Sequence, residues 1–244
     1  MGVSMKLRTF ILAGSLGLVA CMAARPANNT GLAVVANEPT DKAEPISLSV
    51  VEDKFYVNIE FIVFQQEIDQ YPETWKHFQA ALDEWSQHIP VRWVVLVEDH
   101  ALPFSISGRM DSIEVHMIDL QSDPYNLPNN LLGMWLSDGG KILLDADFLE
   151  NDDRAYSVCL HELGHMLGVP HVIGFDELGY TGYVVLPPEQ DATNFVMYPR
   201  SISNHPKKEL STIEIGLAYH NLLHYWTRPD VSHKTEDCRF SVDK

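Results

Sequence analysis

The sequence contains little positive charge, few cysteines and no apolar run long enough to anchor it stably across a bilayer. Of its 244 residues, 17 are lysine or arginine and 34 are aspartate or glutamate, which gives a formal net charge of −17 at pH 7. This excess of negative charge argues against nucleic acid or an anionic membrane surface as a partner. Hydrophobic residues make up 45% of the chain, which is enough for a substantial core and excludes a disordered chain.

The N-terminal segment has the pattern of a targeting signal. Lys6 and Arg8 supply a basic start, and the apolar run 10–20 is shorter than a transmembrane helix requires. Residues 18–21, Leu-Val-Ala-Cys, resemble the lipobox of bacterial lipoproteins, in which the cysteine, here Cys21, becomes the lipidated first residue. The alternative is an ordinary cleaved signal peptide. Both interpretations predict export, either as a membrane-anchored lipoprotein facing the periplasm or cell exterior, or as a secreted protein.

The three cysteines have separate predicted roles. Lipidation would use Cys21, which leaves Cys159 and Cys238. Cys159 shares a helix face with Leu163 and Met166, so we expect it to be a buried free thiol. A disulfide between Cys159 and Cys238 is an open alternative for an exported protein.

Hydrophobic periodicity predicts an α+β domain. Residues 54–64 alternate between apolar and polar, as in a strand with one buried face. From Pro72 the apolar residues recur at helical spacing until Pro90 ends the segment. Because strand, helix and strand follow one another, we expect parallel pairing. The further predicted strands are 91–98, 113–120, 131–136 and 141–145.

The residues with the most specific spacing lie between His161 and His171. On a helix, His161 and His165 share a face and can bind one metal ion, while Glu162 can reach a water on that ion. Gly168 can end the helix in a left-handed conformation, so that His171 returns as a third ligand. Three protein ligands leave one position open, as in a catalytic zinc site.

This stretch resembles the extended zinc signature HExxHxxGxxH of the metzincin metallopeptidases. A methionine in a tight turn below the metal is that clan's second mark, and Met197, 26 residues after His171, is the candidate. The order Met197-Tyr198-Pro199 is similar to the matrixin branch, so the chain resembles a divergent bacterial matrixin-like member. The resemblance implies a zinc endopeptidase acting on proteins or peptides, with Met197 supporting the histidines and Tyr198 and Pro199 lining a substrate pocket.

The resemblance also implies an architecture. We expect a twisted, mostly parallel five-stranded sheet with two packed helices, a zinc cleft, and a smaller irregular C-terminal subdomain that ends in a helix. The predicted division is a signal peptide with lipobox at 1–21, a tether at 22–48, a catalytic domain at 49–232 (upper part about 49–171, lower part about 172–232) and a polar tail at 233–244.

Several positions depart from the matrixin pattern. Leu143 stands where the family has a histidine for a second, structural zinc, and Met134 is near the expected position of another, so we predict a single zinc ion. Val172 and Ser201 also differ from the usual matrixin residues. Asp145 and Asp147 leave calcium binding open, although a solvated acidic turn is the simpler interpretation.

The last helix is predicted from a capping box, Ser211 to Glu214. His220 and His224 lie four residues apart on it, and we interpret them as flanking its core face rather than binding metal. The residues predicted to pack on that core face are Ile215, Tyr219, Leu222 and Trp226.

Two other functions are compatible with the motif. One is an exported lipoprotein that binds peptides and keeps zinc only for structure, although Glu162 argues against it because a structural site needs no base. The other is a different metallopeptidase clan with a downstream glutamate as third ligand, for which Glu177, Glu189 and Glu209 are available. His171 makes that glutamate unnecessary.

Overall fold

A computed structural model describes residues 33–35, 46–51, 54–99, 113–121, 131–137, 139–174, 184–201, 209–224 and 238–242. These residues belong to one compact unit, Gly31–Lys244. The predicted signal peptide at 1–21, with Cys21, lies outside the described residues. None of the described helices has both the length and the apolar character that crossing a bilayer requires.

The described residues include eleven strands. They are β1 (Ala33–Val35), β2 (Ile46–Val51), β3 (Lys54–Phe64), β4 (Val91–Glu98), β5 (Ile113–Ile118), β6 (Leu131–Leu136), β7 (Lys141–Asp145), β8 (Val172–Ile173), β9 (Val184–Val185), β10 (Arg200–Ser201) and β11 (Cys238–Val242). Four of the five predicted strands have the predicted bounds, and β5 ends two residues earlier than predicted.

The described helices include the three that the sequence predicts and two short ones. They are α1 (Gln65–Gln70), α2 (Pro72–His88), α3 (Ala146–Leu149), α4 (Ala155–Met166) and α5 (Thr212–His224), with a 3₁₀ turn at Ala192–Asn194. Proline at the first position of α2 suits a helix start, where its missing N–H is not needed.

The five predicted strands form the centre of one mixed sheet in the order β4-β3-β5-β7-β6. β4, β3, β5 and β7 are mutually parallel, and β6 is antiparallel to β7. The parallel pairing of β3 with β4 across α2 confirms the expectation from the strand–helix–strand order. The sheet is therefore mostly parallel at its centre, as predicted.

Further strands extend this sheet beyond the predicted catalytic domain. β1, which lies within the predicted tether, pairs in parallel with β4. β2 pairs antiparallel with β3. β11, which lies within the predicted polar tail, pairs antiparallel with β6, and β10 pairs in parallel with β11.

The main core lies between the sheet and helices α2 and α4. Alternate β3 side chains, Val57, Ile59, Phe61 and Val63, are buried there, as their periodicity predicts. The indole N–H of Trp85 in α2 donates to the carbonyl of Leu160 in α4 over 3.2 Å, so the two helices are in direct contact. A separate apolar cluster contains Leu120, Leu131, Met134, Leu136 and Leu143.

Candidate metal centre

Helix α4 carries the motif and is buried along almost its whole length. It packs on α2, and one side of it faces β6. Cys159 is a free, fully buried thiol in this helix, as expected, and it takes part in no disulfide. Burial raises its pKa, so it is an inert packing residue.

The helix ends where the sequence predicts, and the ending is a Schellman motif. Gly168 has a φ of +79°, its N–H donates to the carbonyl of His165 over 2.8 Å, and Val169 N–H donates to Gly164 over 2.8 Å. Asn221 of α5 donates from Nδ2 to the carbonyl of Gly168 over 2.6 Å. This turn reverses the chain sharply and returns His171 to the helix.

The three histidines meet at their Nε2 atoms. The Nε2–Nε2 distances are 2.9 Å between His161 and His165, 3.1 Å between His165 and His171, and 3.2 Å between His161 and His171. All three residues are buried, with exposed fractions of 0, 2 and 6%. Among the described residues, this is the only group of three histidine, cysteine or acidic side chains close enough to hold one metal ion.

Backbone carbonyls select the ring tautomers. His161 Nδ1 lies 2.8 Å from the carbonyl of Val196, and His165 Nδ1 lies 2.9 Å from that of Val169. A carbonyl can only accept, so each Nδ1 carries the proton and each Nε2 presents a lone pair to the centre. The approach of His161 to His165 is therefore a contact of two acceptors, not a hydrogen bond.

The imidazoles of this cluster are neutral. Burial lowers the pKa of His161 and His165 well below the ordinary value, and the neighbouring rings lower it further. Burial alone lowers the pKa of His171 to about 4. Neutral imidazole is the form that binds metal ions.

The spacing of the nitrogens fits a small cation. Ligand nitrogens about 2.0–2.1 Å from a tetrahedral zinc are separated from one another by roughly 3.3–3.4 Å. The observed separations of 2.9–3.2 Å are close to this and need only a slight outward shift of the rings. The three residues can therefore hold one metal ion, and an ion would resolve the convergence of their lone pairs.

Glu162 follows His161 in α4, and its carboxyl group is buried. Its side chain is 0% exposed, and neither oxygen has a well-formed hydrogen bond. Burial raises its pKa well above the ordinary value, and the backbone of Trp135 in β6 partly opposes that rise. Burying a carboxyl group without well-formed hydrogen bonds is costly. Such a group calls for an explanation other than packing.

Space for that carboxylate is provided by a glycine of β6. A Cβ placed on Gly133 would lie 2.9 Å from both Cγ and Oε1 of Glu162, and 2.9 Å from Cγ1 of Val158. The sequence analysis assigned no role to Gly133. A glycine inside an apolar strand is the available signal, because it marks a close approach.

Met197 packs against the motif helix at Gly164. It is fully buried, and a Cβ on Gly164 would overlap its Sδ atom and lie 3.2 Å from its Cε. The carbonyl of Met197 accepts from Val172 N–H over 2.9 Å. The methionine turn is thus in contact with both the helix and the segment after His171.

Glu214 holds this turn in place, which the sequence analysis did not anticipate. The capping box is confirmed: Ser211 N–H donates to Oε2 over 2.8 Å, and Glu214 N–H donates to Ser211 Oγ over 3.2 Å. Its other oxygen, Oε1, accepts from Met197 N–H over 2.6 Å. Val196 also donates its N–H to this carboxylate. Since the Val196 carbonyl orients His161, α5 positions a histidine through the turn.

The remaining predicted residues differ in burial and in the part of the structure where they pack. Tyr198 is 8% exposed and packs in the main core, and Pro199 is half-buried. Glu189 and Glu209 are exposed, and Glu177 lies outside the described residues. Leu143 and Met134 are cross-strand neighbours in the separate apolar cluster.

The acidic residues Asp145 and Asp147 form no metal cluster with a third ligand among the described residues. Asp145 is buried, and its Oδ2 accepts from Gln121 Nε2 over 2.9 Å.

Comparison with protein-family models and with curated proteins yields no match to this chain.

Proposed function

We propose that this chain is a zinc-dependent endopeptidase of the metzincin type, divergent from the matrixins it resembles. The observation that supports this most strongly is the convergence of three neutral, buried imidazoles, with the buried carboxyl group of Glu162 next to His161 in the same helix. A structural zinc site would not need Glu162, whose burial is unfavourable unless the carboxylate is used. The donor set of three nitrogens with one open position is that of catalytic zinc.

His161, His165 and His171 would hold the zinc ion. Bound there, zinc supplies a positive charge that polarises a peptide carbonyl and makes water acidic near pH 7. Glu162 accepts a proton from the attacking water and delivers it to the leaving amine.

Substrate binding is proposed on the two sides of the triad. β6 forms one side, next to Glu162, and the segment that begins at Tyr198 and Pro199 forms the other. An extended peptide fits between two such walls by strand addition. The acidic chain, with a net charge of −17, would favour substrates that are not strongly acidic.

The proposed location is outside the cytoplasm, with Cys21 lipidated. Metabolic labelling with an alkyne fatty acid should mark the wild-type protein and the Cys159→Ser control, and should not mark Cys21→Ser. Equal labelling of all three would contradict the lipoprotein proposal, while leaving the peptidase proposal untouched.

The peptidase proposal is tested by hydrolysis of a peptide library by the zinc-loaded protein. We expect turnover in the wild type, loss on chelation, and return on adding zinc. Glu162→Gln should keep one zinc per chain and lose at least about 1000-fold in kcat. The amide can neither accept the proton of the attacking water nor deliver it to the leaving amine. Glu209→Gln, at an exposed glutamate, is the matched control and should retain activity.

Three results would contradict the proposal. They are cleavage that survives complete removal of zinc, cleavage that persists in Glu162→Gln, and stoichiometric zinc without turnover of any library peptide. The last result, combined with peptide binding, would favour the peptide-binding lipoprotein instead.

A further inference from the structure

The C-terminal strand β11 lies between β6 and β10 in the sheet. It runs antiparallel to β6, with Cys238 opposite Trp135 and Phe240 opposite Gly133. On its other edge it runs parallel to β10, with Arg200 opposite Ser241. Its backbone is therefore paired on both edges.

The two neighbours of β11 are β6, which approaches Glu162, and β10, which follows Met197 in the chain. Gly133 of β6 is in contact range of the Glu162 carboxylate, and the Trp135 backbone also interacts with it. β10 begins three residues after Met197, which packs on α4. β11 thus connects the strand beside the general base with the segment that follows the methionine turn.

The edge of β6 that β11 covers is the one a peptide would need. The opposite edge of β6 is taken by β7. An uncovered strand edge binds an extended chain through its backbone groups, whatever the side chains. β11 is such an extended chain, in an orientation antiparallel to β6, and its Phe240 lies opposite Gly133, the residue that approaches Glu162.

The pairing of β11 is short and irregular, as suits a removable segment. It comprises five residues, and the register with β6 shifts between Phe240 and Ser241. The 13 residues 225–237 separate it from α5, which is chain enough to let it leave while α5 stays in place. A tethered segment has an effective concentration in the millimolar range, so it competes with dilute substrate even when its own affinity is low.

We propose that residues 238–242 are an intramolecular competitive inhibitor that occupies the peptide-binding edge of β6. This inference rests on the proposed peptidase function, and it names how that site is regulated. Displacement of β11 opens the slot for an extended peptide, which then pairs with β6 and β10 as β11 did.

Proline substitutions in the full-length chain test this. Proline removes a backbone donor, and neighbouring N–H groups of a strand point to opposite edges. Arg239 and Phe240 both lie opposite β6, whereas β10 pairs only with Ser241 and Val242, so one of Arg239→Pro and Phe240→Pro removes an N–H that faces β6. We expect at least one of them to lower KM about fivefold or more without changing kcat, while the control Asp243→Pro, beyond β11, behaves as wild type.

A labelled peptide of residues 236–244 supplies a second measurement that does not depend on turnover. It should bind Glu162→Gln/Phe240→Pro at least tenfold more tightly than Glu162→Gln alone, whose slot is filled by its own strand. It should also inhibit the active Phe240→Pro variant competitively, and a scrambled peptide should not. Circular dichroism and zinc content show whether each variant is folded.

The two proposals fail in different ways. Active enzyme with unchanged KM in both proline variants, and no binding of the labelled peptide, would overturn the inhibitory role and leave the peptidase intact. Peptide binding only after β11 is disrupted, without hydrolysis by any variant, would support strand exchange and overturn the peptidase. Autocleavage within 238–242, seen by intact mass, would make β11 a substrate and overturn the inhibitor.

Discussion

Two buried histidine sites in this protein have opposite electrostatic environments. His116 of β5 lies between carboxylates: its Nδ1 is 3.3 Å from Glu67 Oε1, and its Nε2 is 3.0 Å from Glu114 Oε2. Lys141 of β7 pairs with the same Glu114. In the triad, by contrast, the described contacts of the Nε2 atoms are with one another, and the Nδ1 atoms of His161 and His165 face carbonyls.

The comparison shows that burial alone does not decide how a histidine is used. His116 is 2% exposed, as buried as the triad. Burial acts to lower its pKa, but hydrogen bonds to Glu114 and Glu67 outweigh that effect and raise it. The two carboxylates thus favour the protonated form of His116. The triad consists of neutral acceptors that converge on one point, so only it is left for an external cation to complete.

Removing one histidine from each site should break the comparison most sharply. His165→Ala should weaken zinc binding about 1000-fold, because one of three ligands contributes a large share of the roughly 10–16 kcal/mol typical of zinc binding. His116→Ala should leave the zinc content at one per chain. Metal analysis after dialysis against a weak chelator measures both.

Equal zinc loss in the two variants would show that the sites are coupled and that the distinction is wrong. His220→Ala in α5, an exposed histidine, is the matched control for removal of an imidazole.

Zinc itself should stabilise the fold through the triad and not through the His116 site. A ligand present at 1000 times its Kd adds about 4.1 kcal/mol to the free energy of unfolding. We expect an increment of about this size in the wild type and in His116→Gln, and none in His161→Ala. Urea unfolding with zinc and with chelator measures it. An equal increment in His161→Ala would place the binding elsewhere.

The geometry of the triad depends on side-chain packing, whereas the His116 site depends on charge. Gly164→Ala forces its methyl against Met197, so we expect a loss of about 1–3 kcal/mol of unfolding free energy and weaker zinc binding. Met197→Ala in the same chain should recover part of that loss, which a double-mutant cycle detects. Gly216→Ala, where a Cβ meets nothing within 4 Å, is the control and should not destabilise. Additive losses would contradict the direct contact.

Much of this architecture follows from local sequence patterns. The alternation in β3, the helical period of α2 and the spacing from His161 to Gly168 are properties of neighbouring residues, so they predict element type and the direction of side chains. The predicted bounds of the five central strands agree with the structure to within two residues.

Interactions between distant segments were not predictable in the same way. Glu214 was recognised as a capping residue because Ser211 is three residues away, but its bond to Met197 exists only once α5 and the turn are packed together. Gly133 and Glu162 are likewise brought together by the sheet. β11 was not predicted because its alternating pattern is only five residues long and is set in a polar segment, so its pairing with β6 is what defines it.

The smallest predicted effect is a pH window for the His116 site. The His116 pKa is raised above its ordinary value of 6.5, so its stabilising contribution is complete below pH 6.5 and is lost as the pH rises through the raised pKa. Hydrogen bonds to His116 and Lys141, opposed by burial, lower the Glu114 pKa to about 2, so its contribution is present above pH 4.5 and is lost as the pH falls towards 2.

The two conditions overlap between pH 4.5 and 6.5. There, His116→Gln should lower the free energy of unfolding of the metal-free protein by about 1–2 kcal/mol, and the difference from wild type should shrink above pH 6.5. Urea unfolding from pH 4 to 9 measures it. The triad titrates in both proteins and cancels from the difference. A difference independent of pH would mean that His116 is neutral, and the contrast between the two sites would then be one of packing and not of charge.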